Sequence, residues 1–213
     1  MIITIASQKG GVGKSTIAIN LALAVAGLPA KPKVALVDAD EQRSCIETLA
    51  GYDRENLKLY EAAENPHNVI KSLAEKIVFV DTPPHSHQVA YQAAAVSNLV
   101  IIPIQPSPLD VRAIKTTVKA LVLIQQKYNP GLKVRFLVNR ITPRTTLAGE
   151  IRATLERLYH FPILETVLHD RQAYKQSFVT GQSVVEFDRG SPAAKEIAAL
   201  LVEISGIVKI VAK

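Results

Sequence analysis

Cysteine is nearly absent from this chain of 213 residues: Cys45 stands alone, which excludes an internal disulfide and any cysteine cluster for zinc or an iron–sulfur centre within one chain. No apolar run approaches the roughly 20 residues needed to span a bilayer, and residues 1–6 lack the basic segment that opens a signal peptide. Internal repeats, low-complexity stretches and linkers are also missing. The expectation is a soluble, cytoplasmic protein forming one domain over residues 1–213, since 48% hydrophobic content supports one sizeable core and the length is short for two.

Against these absences stands one dense stretch. Residues 2–6 read as a buried strand and residues 17–24 as a helix, and between them run Ser7, Gln8, Lys9, Gly10, Gly11, Val12, Gly13, Lys14, Ser15 and Thr16. Strand, glycine-rich turn and helix in that order gather backbone N–H groups and the positive end of a helix around one point, as a polyphosphate requires. Gly13-Lys14-Ser15 meets the end of the phosphate-loop pattern G-x-x-x-x-G-K-[ST], while Gln8 occupies the place of its first glycine.

Downstream, residues 33–40 read as an apolar strand ending in Asp38 and Asp40, whose spacing of two puts both carboxylates on one side of an extended chain. A helix is expected over 41–49, then a polar region with short elements at 57–60 and 68–75. Residues 77–81 form a second apolar strand, and Asp81 at its end reads as the carboxylate that holds Mg²⁺ in a phosphate-loop protein. Further strands are expected at 99–103, 133–140 and 163–164, with helices near 86–96, 108–127, 144–159 and 170–178, a loop at Gly181, and a last helix from Ser191. Leu147, Ile151, Leu155 and Leu158 mark the core face of the helix at 144–159. Near-continuous Val/Ile/Leu strands alternating with helices predict an α/β fold, a mostly parallel twisted sheet with helices on both faces. Ligands of such sheets bind beyond the strand carboxyl ends, where Lys14, Asp38, Asp40, Asp81 and Asn139 fall. Lys14 would meet the terminal phosphates of ATP, and the Ser15 hydroxyl and Asp81 would hold Mg²⁺.

Lys-Gly-Gly-Val-Gly-Lys-Ser-Thr, with Lys9 in addition to Lys14, resembles the deviant Walker A box of the ParA/MinD superfamily. Asp38-Ala39-Asp40, Asp81-Thr82-Pro83-Pro84, residues 102–108 and Asn139 extend the resemblance over most of the chain. The resemblance implies that Gly10, Gly11, Val12, Gly13, Lys14, Ser15 and Thr16 cradle the ATP phosphates. It also implies that Lys9 reaches across a face-to-face homodimer to the partner's nucleotide, so that Lys9, Lys14 and Asp40 are the catalytic set. Asp40 would orient the attacking water, Asp38 would support a metal site built on Ser15 and Asp81, and Asn139 would read adenine. Glu41 and Arg43 stand where the family carries proline and glycine, a departure in the loop after Asp40. A short chain opening directly on the phosphate loop looks like the ParF-type plasmid partition ATPases. Those proteins bind DNA non-specifically as ATP dimers, gather on the nucleoid and are released when a ParB-type partner stimulates a weak hydrolysis of ATP to ADP and phosphate.

The same ATPase working through a cargo adaptor to place a microcompartment or chemoreceptor cluster is the alternative. A MinD-like protein would end in a basic amphipathic membrane anchor, and residues 200–210 carry too few basic residues for one, so no stable membrane insertion is expected. Iron-protein reductases and Mrp-type scaffold proteins share the loop but need cysteines. A dethiobiotin-synthetase-like ligase would need a substrate pocket beside the phosphates and would have no use for Lys9.

Charge is uneven. Residues 1–106 carry 9 Lys/Arg against 10 Asp/Glu, and residues 107–213 carry 16 against 9. The basic excess suits a polyanion such as DNA, or simply a solvated surface. Arg144, Arg152, Arg157, Arg171 and Lys175 are the candidate DNA contacts, expected on outward faces. Without a base-reading motif, such contacts would be to phosphates and salt-sensitive.

Overall fold

The computed structural model describes residues 1–210, in the order β1 (Ile2–Ile5), α1 (Lys14–Ala26), β2 (Val34–Asp38), α2 (Ser44–Thr48), β3 (Leu57–Glu61), α3 (Pro66–Ser72), β4 (Ile77–Asp81), α4 (His87–Ala94), β5 (Leu99–Ile104), α5 (Pro108–Ala113), α6 (Lys115–Lys127), β6 (Lys133–Val138), α7 (Leu147–Leu158), α8 (Gln172–Val179), α9 (Val184–Phe187) and α10 (Pro192–Ile207). The strands form one sheet in the order β3-β2-β4-β1-β5-β6, and every neighbouring pair is parallel. The predicted α/β class holds.

Strand residues alternate between two buried faces, which is why the strands read as unbroken apolar runs. Ile3, Ile5, Val34, Leu36, Ile77, Phe79, Leu99 and Ile101 pack under α1 and α10. On the opposite face, Val100, Ile102, Val134, Phe136 and Val138 meet α5, α6 and α7, while Ala35, Val37, Val78 and Val80 meet α3 and α4. Helix α1 is buried almost all round, so its sequence shows no polar face. Ser191 caps α10 by accepting from the Ala194 N–H at 3.1 Å, with Pro192 in the first turn, a start legible from Ser-Pro alone. Ala193, Ile197, Leu200 and Ile204 of α10 are core residues. Among the described residues, no helix is long and apolar enough to cross a membrane.

The helix expected over 108–127 is two helices, meeting at Ile114. Ile114, buried with Val111 and Thr117, has φ −77° and ψ −7°, away from the α-helical ψ of about −42°, and the helix is interrupted there. Leu158 is not core: it is 51% exposed. Tyr159 leaves the helix in extended conformation and takes the inward place, its ring 5.8 Å from that of Phe136. The strand expected at 163–164 is an isolated bridge to Phe136. Helix α9 was not foreseen, although Ser183 and Glu186 form a reciprocal capping box that starts it.

Candidate nucleotide and metal site

Strand β1 lies between β4 and β5, where the chain switches from building one side of the sheet to the other, and the loop from β1 into α1 sits at this crevice. Gly11 and Gly13 have φ of 73° and 89°, left-handed values natural to glycine. A Cβ on Gly13 would also lie 2.6 Å from Asn139 Nδ2. The loop carbonyls are tied from outside: Gln105 Nε2 and Arg140 donate to Gly11 O at 2.9 and 2.8 Å, Asn139 Nδ2 to Val12 O at 2.7 Å, and Lys14 Nζ to Lys9 O at 3.2 Å. With its carbonyls held away, the loop presents N–H groups and the start of α1, which has no side-chain cap. Such an arrangement is a ready anion site.

Lys14 is 6% exposed. Burial lowers its ammonium from the usual value, opposed by Asp81 and Asp40. The registers Ile5–Asp81 and Asp38–Asp81 place the ends of β1, β2 and β4 side by side, which brings the strand-end acids of the sequence to one point. Asp81 Oδ2 accepts from the Ser15 hydroxyl at 2.5 Å and from the Cys45 thiol at 3.4 Å. Asp81 Oδ1 is buried with no partner among the described residues. Burial pushes the Asp81 carboxyl up to about 7, against the opposing hydrogen bond from Ser15. An unpartnered buried carboxylate oxygen beside a serine hydroxyl fits a hard divalent cation with oxygen ligands, as Mg²⁺ is. Asp38, Cys45 and Asp81 offer ligand atoms within 4.8 Å of one another. Burial holds the Cys45 thiol well above its usual value, so it remains a neutral donor to Asp81 rather than a soft thiolate ligand.

Asp38 has a different task from Asp81. Its Oδ2 accepts the N–H groups of Cys45 and Ile46 at 2.8 and 3.2 Å and its Oδ1 that of Asp40 at 3.1 Å. It thereby pins the turn that carries Asp40, with the backbone donors opposing the upward push of burial on its carboxyl. Asp40 is half-buried and accepts from the Gln42 N–H at 3.0 Å. Glu41 and Arg43 are accommodated by this turn, Arg43 in left-handed conformation just before α2, which starts later than expected.

A cavity of about 380 Å³ opens beside the loop, lined by Gly13, Lys14, Ser15, Asp40, Asn139 and residues from the start of α8, a size suited to a nucleotide-scale ligand. Asn139 is here as expected, but its amide N–H is engaged by the loop.

Three placements differ from expectation. Lys9 does not point away from its own subunit: it pairs with Asp110 of α5, with side chains 41% and 3% exposed. The buried carboxylate requires a cation, and supplies the negative charge that a second loop lysine needs. Arg171 is not an outward cation; 25% exposed, it grips Glu196 of α10 through Nε and a terminal nitrogen at 2.9 and 2.6 Å and lines the nucleotide cavity. Arg152, 20% exposed, is bound by the Leu164 and Glu165 carbonyls and faces the Glu165 carboxylate. Arg171 is thus tied down by a side-chain carboxylate and Arg152 by two main-chain carbonyls. Arg144, Arg157 and Lys175 are exposed as expected. Asp110, Gln105 and Arg140 were not singled out, and Cys45 only as the lone cysteine; of these, Asp110 carried a signal, an acid in the first turn after Ser107-Pro108.

Residues 3–184 match the CobQ/CobB/MinD/ParA nucleotide binding domain. The chain is 33% identical over 211 residues to the maintenance of carboxysome distribution protein A of Halothiobacillus neapolitanus, covering 95% of both chains. It is 26% identical over 236 residues to the chromosome-partitioning ATPase Soj of Thermus thermophilus, covering 95% of this chain and 94% of that protein. The fold superposes on apo McdA of Cyanothece with a TM-score of 0.79 at 18% identity, over 95% of this chain and 98% of the other. With the loop, the paired strand-end acids and the sheet order in place, the chain belongs to the CobQ/CobB/MinD/ParA nucleotide-binding family.

Proposed function

We propose that this chain is a magnesium-dependent ATPase that positions a protein cargo, in the manner suggested by its carboxysome-distribution relative. The observation that carries the reading is that relative's 33% identity over 95% of both chains, joined to a loop holding two lysines of different environment. Gly10 to Thr16 bind the phosphates through N–H groups, and Lys14 neutralises them from a buried position. Ser15 and Asp81 hold the ion, which when bound draws charge from the terminal phosphates. Asp40, set by Asp38, orients water for in-line attack and accepts its proton. Asn139 keeps the loop shaped against the base. Lys9 exchanges Asp110 for the nucleotide of a second copy, so that ATP gates a homodimer. A cargo adaptor then stimulates hydrolysis and resets the cycle.

DNA is the proposed track, supported by the basic excess in residues 107–213. Arg144 and Lys175 are its remaining candidate contacts, since Arg157 lies along an apolar groove instead. Partition of a DNA cargo through a ParB-type partner is the second reading, favoured by the similarity to Soj. The test is retention on non-specific DNA with ATP, ADP or no nucleotide at two salt concentrations, followed by deletion of the gene and imaging of the cargo. ATP-only, salt-sensitive retention with mispositioned protein bodies supports the first reading. Plasmid loss with normal bodies supports the second, and nucleotide-independent behaviour contradicts both.

A further inference from the structure

A groove of about 650 Å³ runs between α5, the start of α6 and α7, on the side of the sheet opposite α1. Its floor is apolar: Val111 and Ile151 are buried, Leu147 and Tyr159 are half-buried, and exposed Leu158 forms one wall. Arg112, Lys115 and Arg157 stand exposed along it. Among the described residues none of the three forms an ion pair. Its one acid, Glu150, accepts from the Thr146 hydroxyl at 2.7 Å. The Tyr159 hydroxyl is satisfied by Val111 O at 2.8 Å, so the floor asks for no polar partner.

We propose that this groove docks an acidic amphipathic segment of a partner protein, its apolar side chains on the Val111–Ile151 floor and the Leu158 wall and its carboxylates on Arg112, Lys115 and Arg157. Nucleic acid fits worse. A phosphate backbone would use the three cations but gain nothing from an apolar floor, whereas an amphipathic helix uses both.

The groove is wired to the loop lysine through α5. Asp110 faces inward to Lys9, while the next two residues, Val111 and Arg112, face the groove. Helix α5 is six residues long and ends at the turn at Ile114. Asp110 Oδ2 is buried without a partner among the described residues, so the carboxylate is held by Lys9 alone and by no second donor. A segment seated in the groove acts on α5 and hence on whether Lys9 stays with Asp110 or is released. This coupling rests on the ATPase reading; the docking itself does not.

The test uses the full chain and two fluorescent synthetic helical peptides with identical leucine spacing, one carrying glutamates on its polar face and the other lysines. The glutamate peptide is expected to bind at least about tenfold more tightly and to weaken with salt, and Arg112→Glu with Arg157→Glu is expected to reverse the preference. Failure of both peptides to bind, equal binding of both, or an unchanged preference in the double variant overturns the docking site. Displacement of the glutamate peptide by a short DNA duplex also overturns it, in favour of a phosphate-binding face. ATP affinity and turnover are measured on the same samples. An altered turnover with the glutamate peptide in the wild type, absent in the double variant, supports the coupling. Wild-type protein that binds the peptide but not ATP would sink the ATPase reading while leaving the docking site standing.

Discussion

The two halves of the chain handle charge in opposite ways. In residues 1–106 the acids outnumber the bases by one and the important charges are buried, Asp38 and Asp81 side by side at the ends of parallel strands and Lys14 at the start of α1. In residues 107–213 the bases exceed the acids by seven, yet two of the five arginines and lysines first assigned to DNA are engaged inside the fold. Burial forces a charge to reveal its partner, because desolvation without one is too costly. A surface excess carries no such constraint, so its count says little about what each residue does.

The largest expected effect attacks the buried half. Lys14→Ala should weaken ATP binding by on the order of a hundredfold or more, since removing one member of a buried charged set costs several kcal/mol. Calorimetric titration checks this, and unchanged affinity would remove the phosphate-loop assignment. Gly13→Ala comes next: a methyl 2.6 Å from Asn139 Nδ2 at a φ of 89° should destabilise the fold by roughly 2 kcal/mol and displace the loop. Urea unfolding reads the first effect and nucleotide titration the second.

The next pair sharpens the contrast within the basic half. Arg171→Ala should cost about 1–2 kcal/mol, because it leaves Glu196 with the half-buried His169 as its remaining nitrogen partner. Arg157→Ala, at an exposed site, should change stability by less than about 0.5 kcal/mol. Equal costs in thermal melts would mean that the tied and exposed arginines do not differ as described.

Much of the first half was legible because its physics is local. Runs such as Ile77 to Val80 are apolar at every position because both faces of the sheet are covered, and the acids, here Asp81, come where the strands stop. The second half depends on distant partners. Arg171 meets Glu196 across 25 residues and Lys9 meets Asp110 across 101, and no periodicity links them. The turn at Ile114 and the inward Tyr159 are settled by packing against Phe136 and its neighbours, which propensity does not see. Helix α9 is the exception: Ser183 and Glu186 spelled its capping box, but four residues after a glycine turn are easily read as loop.

The central claim is that Lys9 moves from Asp110 to a second subunit's nucleotide. Light scattering of the Asp40→Ala chain with ATP, ADP and no nucleotide, alone and combined with Lys9→Ala, tests it most directly. A dimer with ATP only, and a monomer that still binds ATP once Lys9 is removed, is the predicted result. A dimer that forms without ATP, or that survives Lys9→Ala unchanged, would contradict it.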